Sequence, residues 1–106
     1  YKLLNRDKIF IPIKNKYNYD TFHTFVIQVN KRKELQKYLL SKGVMTSIHY
    51  PVPIHLQPAS KHLGYKKGDF PIAEKQSNRI LSIPINQYLS ENKIIKISHL
   101  INKFFN

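Results

Sequence analysis

The stretch Thr21 to Ile48, TFHTFVIQVNKRKELQKYLLSKGVMTSI, decides the fold. Most residues from Thr21 to Val29 are β-branched or aromatic, which favours an extended chain lying on a sheet. In such a strand Phe22, Thr24, Val26 and Gln28 face one way, and Thr21, His23, Phe25, Ile27 and Val29 the other. Asn30 suits a helix N-cap. From Lys31 to Lys42 the apolar residues Leu35, Tyr38 and Leu39 fall on one helical face, with the charges opposite. Gly43 stands where a helix closes in the left-handed region, and Val44 to Ile48 again has strand character. Strand, capped helix, glycine, strand describes a sheet layer covered by a helix. A helix of this length joins parallel or antiparallel strands, so strand direction is open at this point.

Working outward, Tyr1, Leu3 and Leu4 read as the end of a helix begun upstream. Ile9 to Ile13 is a short extended piece with Pro12 suited to a sheet edge, and Lys14 to Asp20 is a polar loop. On the other side Pro58 starts a short helix ending at Gly64. Asp69 is expected to cap a helix from Phe70 to about Arg79, and Leu81 to Ile85 to form a third strand with Pro84 near its end. Ser90 caps a final amphipathic helix to Phe105, which buries Ile94, Ile97, Ile101 and Phe104 or Phe105 along one stripe. There is no internal repeat, low-complexity tract or second domain. The expected fold is α+β in two layers, a small sheet of three to four strands with helices mainly on one face.

At 106 residues one compact domain is expected. An apolar fraction of 42% with 12% aromatics excludes a disordered chain. No run approaches 18 apolar residues, so no transmembrane helix is expected. Without cysteine there is no disulfide, thiolate nucleophile or cysteine-based zinc site, and a cytoplasmic setting fits. The net charge of +12 and the loop histidines leave a basic α/β nucleic-acid-binding or metal-binding module as the alternative. Of the 18 basic residues, however, only Arg6, Arg32 and Arg79 are arginine, the side chain whose fork suits base and phosphate recognition. The lysines are spread along the chain beside 14 Ile and 9 Asn, as in a general compositional bias. The chain begins at Tyr1 and its only methionine is Met45, so residues 1–106 are expected to be the last domain of something longer.

The segment His49-Tyr50-Pro51-Val52-Pro53-Ile54-His55-Leu56-Gln57-Pro58 holds three of six prolines and two of five histidines. Proline restricts its predecessor and removes backbone donors, so this is a stiff, irregular connection. It either presents His49 and Tyr50 at fixed angles, as a substrate-contacting wall requires, or simply bridges a gap. His49, His55 and His62 are spaced too loosely for the tight ligand pairs of a zinc site, so no metal is expected. His62 and His99 read as hydrogen-bonded loop residues. No Ser/His/Asp order or glycine-rich phosphate loop occurs. Among six carboxylates, Glu34, Asp69 and Glu74 have local explanations in caps and first turns, leaving no acid/base pair. Alone, the chain does not read as a complete active site.

Five co-linear segments carry a resemblance. Gly43-Val44 with Ser47 to Ala59 resembles the "GI.T..HYP.P.HLQPA" segment of the DegT/DnrJ/StrS-type sugar aminotransferases. Leu63 to Glu74 is similar to that family's "LGY..GDFP.AE", His23 to Ile27 to its "H.FVI" strand, and Leu81 to Ile85 to its "LSLPI". Arg32 to Leu35 resembles its "RDEL" helix start, with Lys33 replacing the usual acid. The resemblance implies a fold-type I pyridoxal-phosphate enzyme that transfers an amino group, typically from glutamate, to a nucleotide-linked keto sugar. It further implies that these residues are the C-terminal small domain, with residues 1–20 leading in from a large domain. That large domain would hold the Schiff-base lysine, the aspartate facing the ring nitrogen and most phosphate contacts, so no lysine here is catalytic. By motif, His49, Tyr50 and His55, with His23 on the neighbouring strand, would contact substrate. Neither a cofactor-binding nor a metal-binding residue is assigned. A homodimer is implied, and neither nucleic acid nor membrane is an expected partner.

Overall fold

The computed structural model describes residues 2–13 and 15–106; Tyr1, of the expected helix end, and Lys14, of the expected polar loop, lie outside them. Three strands form one antiparallel sheet in the order β1-β2-β3: β1 is Ile9–Phe10, β2 is Phe25–Val29 and β3 is Ile80–Ile83. The helices are α1 (Arg32–Ser41), α2 (Pro71–Ser77) and α3 (Glu91–Phe105). Single 3₁₀ segments occupy Ile54–Leu56 and Pro58–Leu63.

Register places the apolar residues on one face. Ile9 pairs with Val29, Leu81 with Ile27 and Ile83 with Phe25. Strand alternation turns these six the same way, and they meet Leu35 and Leu39 of α1 and Ile101 of α3 in one core. The expected two-layer α+β architecture is the one observed. Ile27, Leu35, Leu39, Leu81 and Ile101 are fully buried, and each such side chain contributes roughly 1.5–3 kcal/mol of transfer free energy. The α3 stripe is narrower than expected: Ile101 is buried and Ile97 packs against the core, whereas Ile94 is 41% exposed.

The end of α1 follows the sequence reading closely. Gly43 takes φ 76°, its N–H donates to Leu40 O at 2.9 Å, and the Val44 N–H reaches Leu39 O at 2.9 Å. These two bonds define a Schellman close, which requires the left-handed region that glycine enters without strain.

Elsewhere local signals yield to tertiary structure. Val44 to Ile48 is not a strand; a single antiparallel bridge joins Ser47 to Ser82 on the free side of β3. The first strand of the opening stretch begins at Phe25 rather than Thr21, with Phe22 in the left-handed region at φ 53°. Asn30 is not the α1 cap, because Lys31, itself at φ 57°, holds that position without a side-chain bond. Asp69 is not the α2 cap either: Phe70 occupies it, and the Asp69 carboxylate accepts the Lys66 N–H at 2.8 Å, closing the preceding turn. Ser90 does stand at the N-cap of α3, without a side-chain cap bond. Leu3 and Leu4 lie in turns rather than a helix. Asn102 of α3 ties this segment down, accepting from Asn5 N–H at 2.9 Å and donating to Leu3 O at 2.8 Å.

Candidate functional site

Ser82 is the anchor of the site. In β3 it follows Leu81, so its side chain lies on the face turned away from α1 and α3. Its N–H donates to Ser47 O at 2.8 Å and its C=O accepts from Ser47 N–H at 3.0 Å. Two residues further on, His49 Nδ1 and Ser82 Oγ are hydrogen-bonded at 2.9 Å. Backbone and side chain of one buried strand residue thus fix the root of the proline-rich loop.

Beyond His49 the loop holds itself. The His49–Tyr50 peptide is cis, and the two rings meet edge to face at 5.5 Å. Gln57 Nε2 donates to Val52 O at 3.1 Å, and Leu56 N–H to Pro53 O at 2.9 Å. Where prolines delete donors, these remaining ones satisfy the loop from within.

His55 is drawn inward. Its ring is buried against Phe70 at 4.7 Å, and Nε2 lies 3.0 Å from Glu74 Oε1. The same carboxylate oxygen accepts the Gly68 N–H at 2.7 Å. The Gly68 amide does most to hold the Glu74 carboxyl below its ordinary value of 4.5; partial burial opposes this, and the His55 contact adds to the lowering. Glu74 therefore joins the loop, the Lys66–Asp69 turn and α2 at one point.

Two hollows flank His49. The first, of about 590 Å³, is lined by His23, His49, Ser47 and Ser82 and by residues of α3. The second, of about 600 Å³, is mainly apolar and aromatic, with His49, Tyr50, His55, Tyr65 and Phe70 in its wall. Both volumes fall within the roughly 300–1,000 Å³ common for small-molecule sites. Of the four residues singled out by sequence, His23 and His49 share the first hollow and His49, Tyr50 and His55 the second. Tyr50 is 70% exposed, leaving its phenol accessible.

Ser82 and Glu74 were missed by sequence reasoning. In sequence Ser82 is an ordinary strand position, and Glu74 stands in the first turn of a helix. His62 does form a local bond, Nδ1 donating to Ala59 O at 3.0 Å. His99, expected in a loop, lies exposed on α3. Among the described residues no group of three or more His, Cys, Asp or Glu could hold a metal ion. No helix among them is long and apolar enough to cross a membrane.

The chain is similar in sequence and in fold to known proteins. The pleiotropic regulatory protein of Geobacillus stearothermophilus is 37% identical over 99 residues, covering 93% of this chain and 27% of that protein. The dTDP-3-amino-3,4,6-trideoxy-alpha-D-glucose transaminase of Streptomyces venezuelae is 29% identical over 96 residues, covering 91% and 25%. The crystal structure of S. venezuelae DesV in complex with a ketimine intermediate superimposes with a TM-score of 0.86 at 29% identity, covering 92% of this chain and 26% of that one. The chain thus spans about a quarter of the length of these relatives. Its residues 2–102 match the family model throughout, and the chain belongs to the DegT/DnrJ/EryC1/StrS aminotransferase family.

Proposed function

We propose that these residues form the C-terminal small domain of a pyridoxal-phosphate-dependent aminotransferase acting on a nucleotide-linked keto sugar, and that the His49–Pro58 loop is one wall of its substrate cleft. The observation that carries this reading is the placement of His49, fixed on Ser82 Oγ and shared by both hollows. A side chain held from a strand and facing two adjoining cavities suits contact with a long ligand. With Nδ1 engaged by Ser82, the other ring nitrogen of His49 serves a substrate hydroxyl or phosphate oxygen, as donor or acceptor by tautomer. Tyr50 contributes a phenol at the rim, and His23 an imidazole on the far side of the first hollow. His55 acts mainly through Glu74, holding the loop in place.

Pyridoxal phosphate supplies the electron sink for amino-group transfer. Holding it requires a lysine amine and a carboxylate for the ring nitrogen in one cavity. The first hollow has lysines but no carboxylate in its wall, and the second has neither. These residues do not by themselves fit the cofactor, so the proposal assigns its contacts to the rest of a longer protein. No lysine of this chain is given a catalytic role. Glutamate as amino donor, a homodimer and a cytoplasmic setting complete the reading.

The test is to express the full-length protein and incubate it with glutamate and a panel of dTDP- and UDP-linked keto sugars. The expected result is exchange of the sugar C=O oxygen for an amine, with one 2-oxoglutarate formed per amino sugar. Amino transfer confined to free keto acids, with every nucleotide sugar untouched, would overturn the proposal.

A further inference from the structure

We propose that Glu74 is a positioning residue for His55. It holds the ring proton on Nε2 and so keeps Nδ1 as a hydrogen-bond acceptor at the second hollow, facing an uncharged ligand that brings an O–H or N–H. One carboxylate oxygen has two neighbours: Glu74 Oε1 lies 2.7 Å from the Gly68 nitrogen and 3.0 Å from His55 Nε2. A backbone N–H only donates, so Oε1 is the acceptor of the shorter bond. An ionised carboxylate has no proton to give, and the Gly68 amide favours the ionised form. His55 Nε2 is therefore the donor of the longer bond. In a neutral imidazole, a proton on Nε2 leaves Nδ1 bare and able only to accept.

Nδ1 is not used up elsewhere. Among the described residues, the bond to Glu74 is the hydrogen bond that this ring makes. The buried side-chain nitrogens and oxygens without a partner are Arg32 Nε, Thr46 Oγ1 and Arg79 Nε. His55 Nδ1 is neither bonded nor one of these, so the atom keeps open surface although the residue is buried. Of the two hollows only the second has His55 in its wall, and Glu74 is absent from that wall. The ring thus stands between carboxylate and hollow. His49 differs: its partner, the Ser82 hydroxyl, both donates and accepts, so either tautomer satisfies it.

Ligand class follows from the wall. Tyr50, Tyr65 and Phe70 contribute rings to it, and no Asp, Glu, Lys or Arg lines it. A charged ligand group would lose its water there without a countercharge. An apolar body carrying one donor satisfies Nδ1, whereas an analogue lacking that donor leaves the nitrogen unpaired. This inference stands on the geometry of this chain and does not depend on the function proposed above.

The test uses the 106-residue chain with 15N-labelled histidine at pH 8, above the ordinary histidine range. Long-range 1H–15N spectra separate protonated from bare ring nitrogens. His55 is expected with Nε2 protonated and Nδ1 bare in at least nine-tenths of molecules. His62, whose Nδ1 donates to Ala59 O at 3.0 Å, gives the opposite tautomer as an internal reference. Glu74→Ala should raise the Nδ1-protonated form of His55 to at least a third, while Glu74→Gln, which keeps an acceptor oxygen, should retain the native form. The ligand probes are phenol and anisole, which share a ring and differ in the hydroxyl proton. Phenol should bind at least threefold more tightly and shift the His55 Nδ1 resonance, and anisole should leave that resonance in place. The native spectrum and the two probes decide the matter even where Glu74→Ala does not fold. A protonated Nδ1 in the native chain, the same tautomer in folded Glu74→Ala, or an Nδ1 resonance that phenol leaves unmoved would each overturn the proposal.

Discussion

His55 Nε2 and Glu74 Oε1 are 3.0 Å apart, joining residues 19 positions apart across the proline-rich loop and α2. Because the same oxygen also accepts the Gly68 amide at 2.7 Å, one carboxylate holds three segments. Ring packing of His55 on Phe70, and of Phe70 on Tyr65 at 5.0 Å, completes the latch. The second hollow owes its shape to this arrangement, since His55, Tyr65 and Phe70 are all in its wall.

Glu74→Gln is expected to lower the melting temperature, and Glu74→Ala to lower it further, because glutamine retains an acceptor for the Gly68 amide. The pH dependence has a definite sign. The folded-state carboxyl is held below its ordinary 4.5, first by the Gly68 amide. Its contribution to stability is therefore present above 4.5 and lost as pH falls through the lower folded value. Melting curves from pH 7 downward should show an acid-side loss in the native chain that is smaller in Glu74→Gln. Identical acid limbs would show that the latch contributes nothing.

Leu35→Ala and Ile101→Ala should each cost roughly 2–5 kcal/mol, because both side chains are fully buried at the seam of α1 and α3 with the sheet. Urea unfolding measures this directly. A loss below about 0.5 kcal/mol, the scale of ordinary surface changes, would contradict the packing described.

Arg32 is buried although the sequence places it on the charged side of α1, and its guanidinium Nη1 donates to the Ser77 carbonyl at the end of α2. Arg32→Ala should cost about 1.5–3 kcal/mol, the usual range for a hydrogen bond to a charged group. Urea unfolding of the variant checks it; a neutral result would mean the bond does not hold α2 against α1.

Much of the fold was legible where local chemistry and tertiary packing agree. The FVIQV strand, the Leu35/Leu39 face and the Gly43 close each follow from spacing that the core then uses. Caps were less legible. Asn30 and Asp69 have the right side chains, but Lys31 takes a left-handed conformation before α1, and Asp69 satisfies its own turn instead. The VMTSI segment has strand propensity, yet only Ser47 reaches β3, in one bridge. At the candidate site the loop was legible from its prolines and imidazoles. Its supports, Ser82 and Glu74, were not, because they lie 33 and 19 residues from the histidines they hold.

Ser82→Ala tests the anchor without deleting His49. It should cost about 0.5–1.5 kcal/mol in stability, and in the full-length protein slow sugar amination while leaving the glutamate step near native. An unchanged sugar step would show that Ser82 does not orient His49.

The most direct test of the central claim is His49→Ala in the full-length protein, read by single-turnover kinetics of the two half-reactions beside a melting curve. A lost hydrogen bond costs roughly 0.5–1.5 kcal/mol to a neutral partner and about 1.5–3 to a charged phosphate. The account therefore predicts a loss of roughly 3- to 100-fold in kcat/KM for the nucleotide sugar, with the glutamate half-reaction and the melting temperature little changed. Equal losses in both half-reactions, together with a lowered melting temperature, would show that His49 only braces the loop and would contradict its role as a substrate contact.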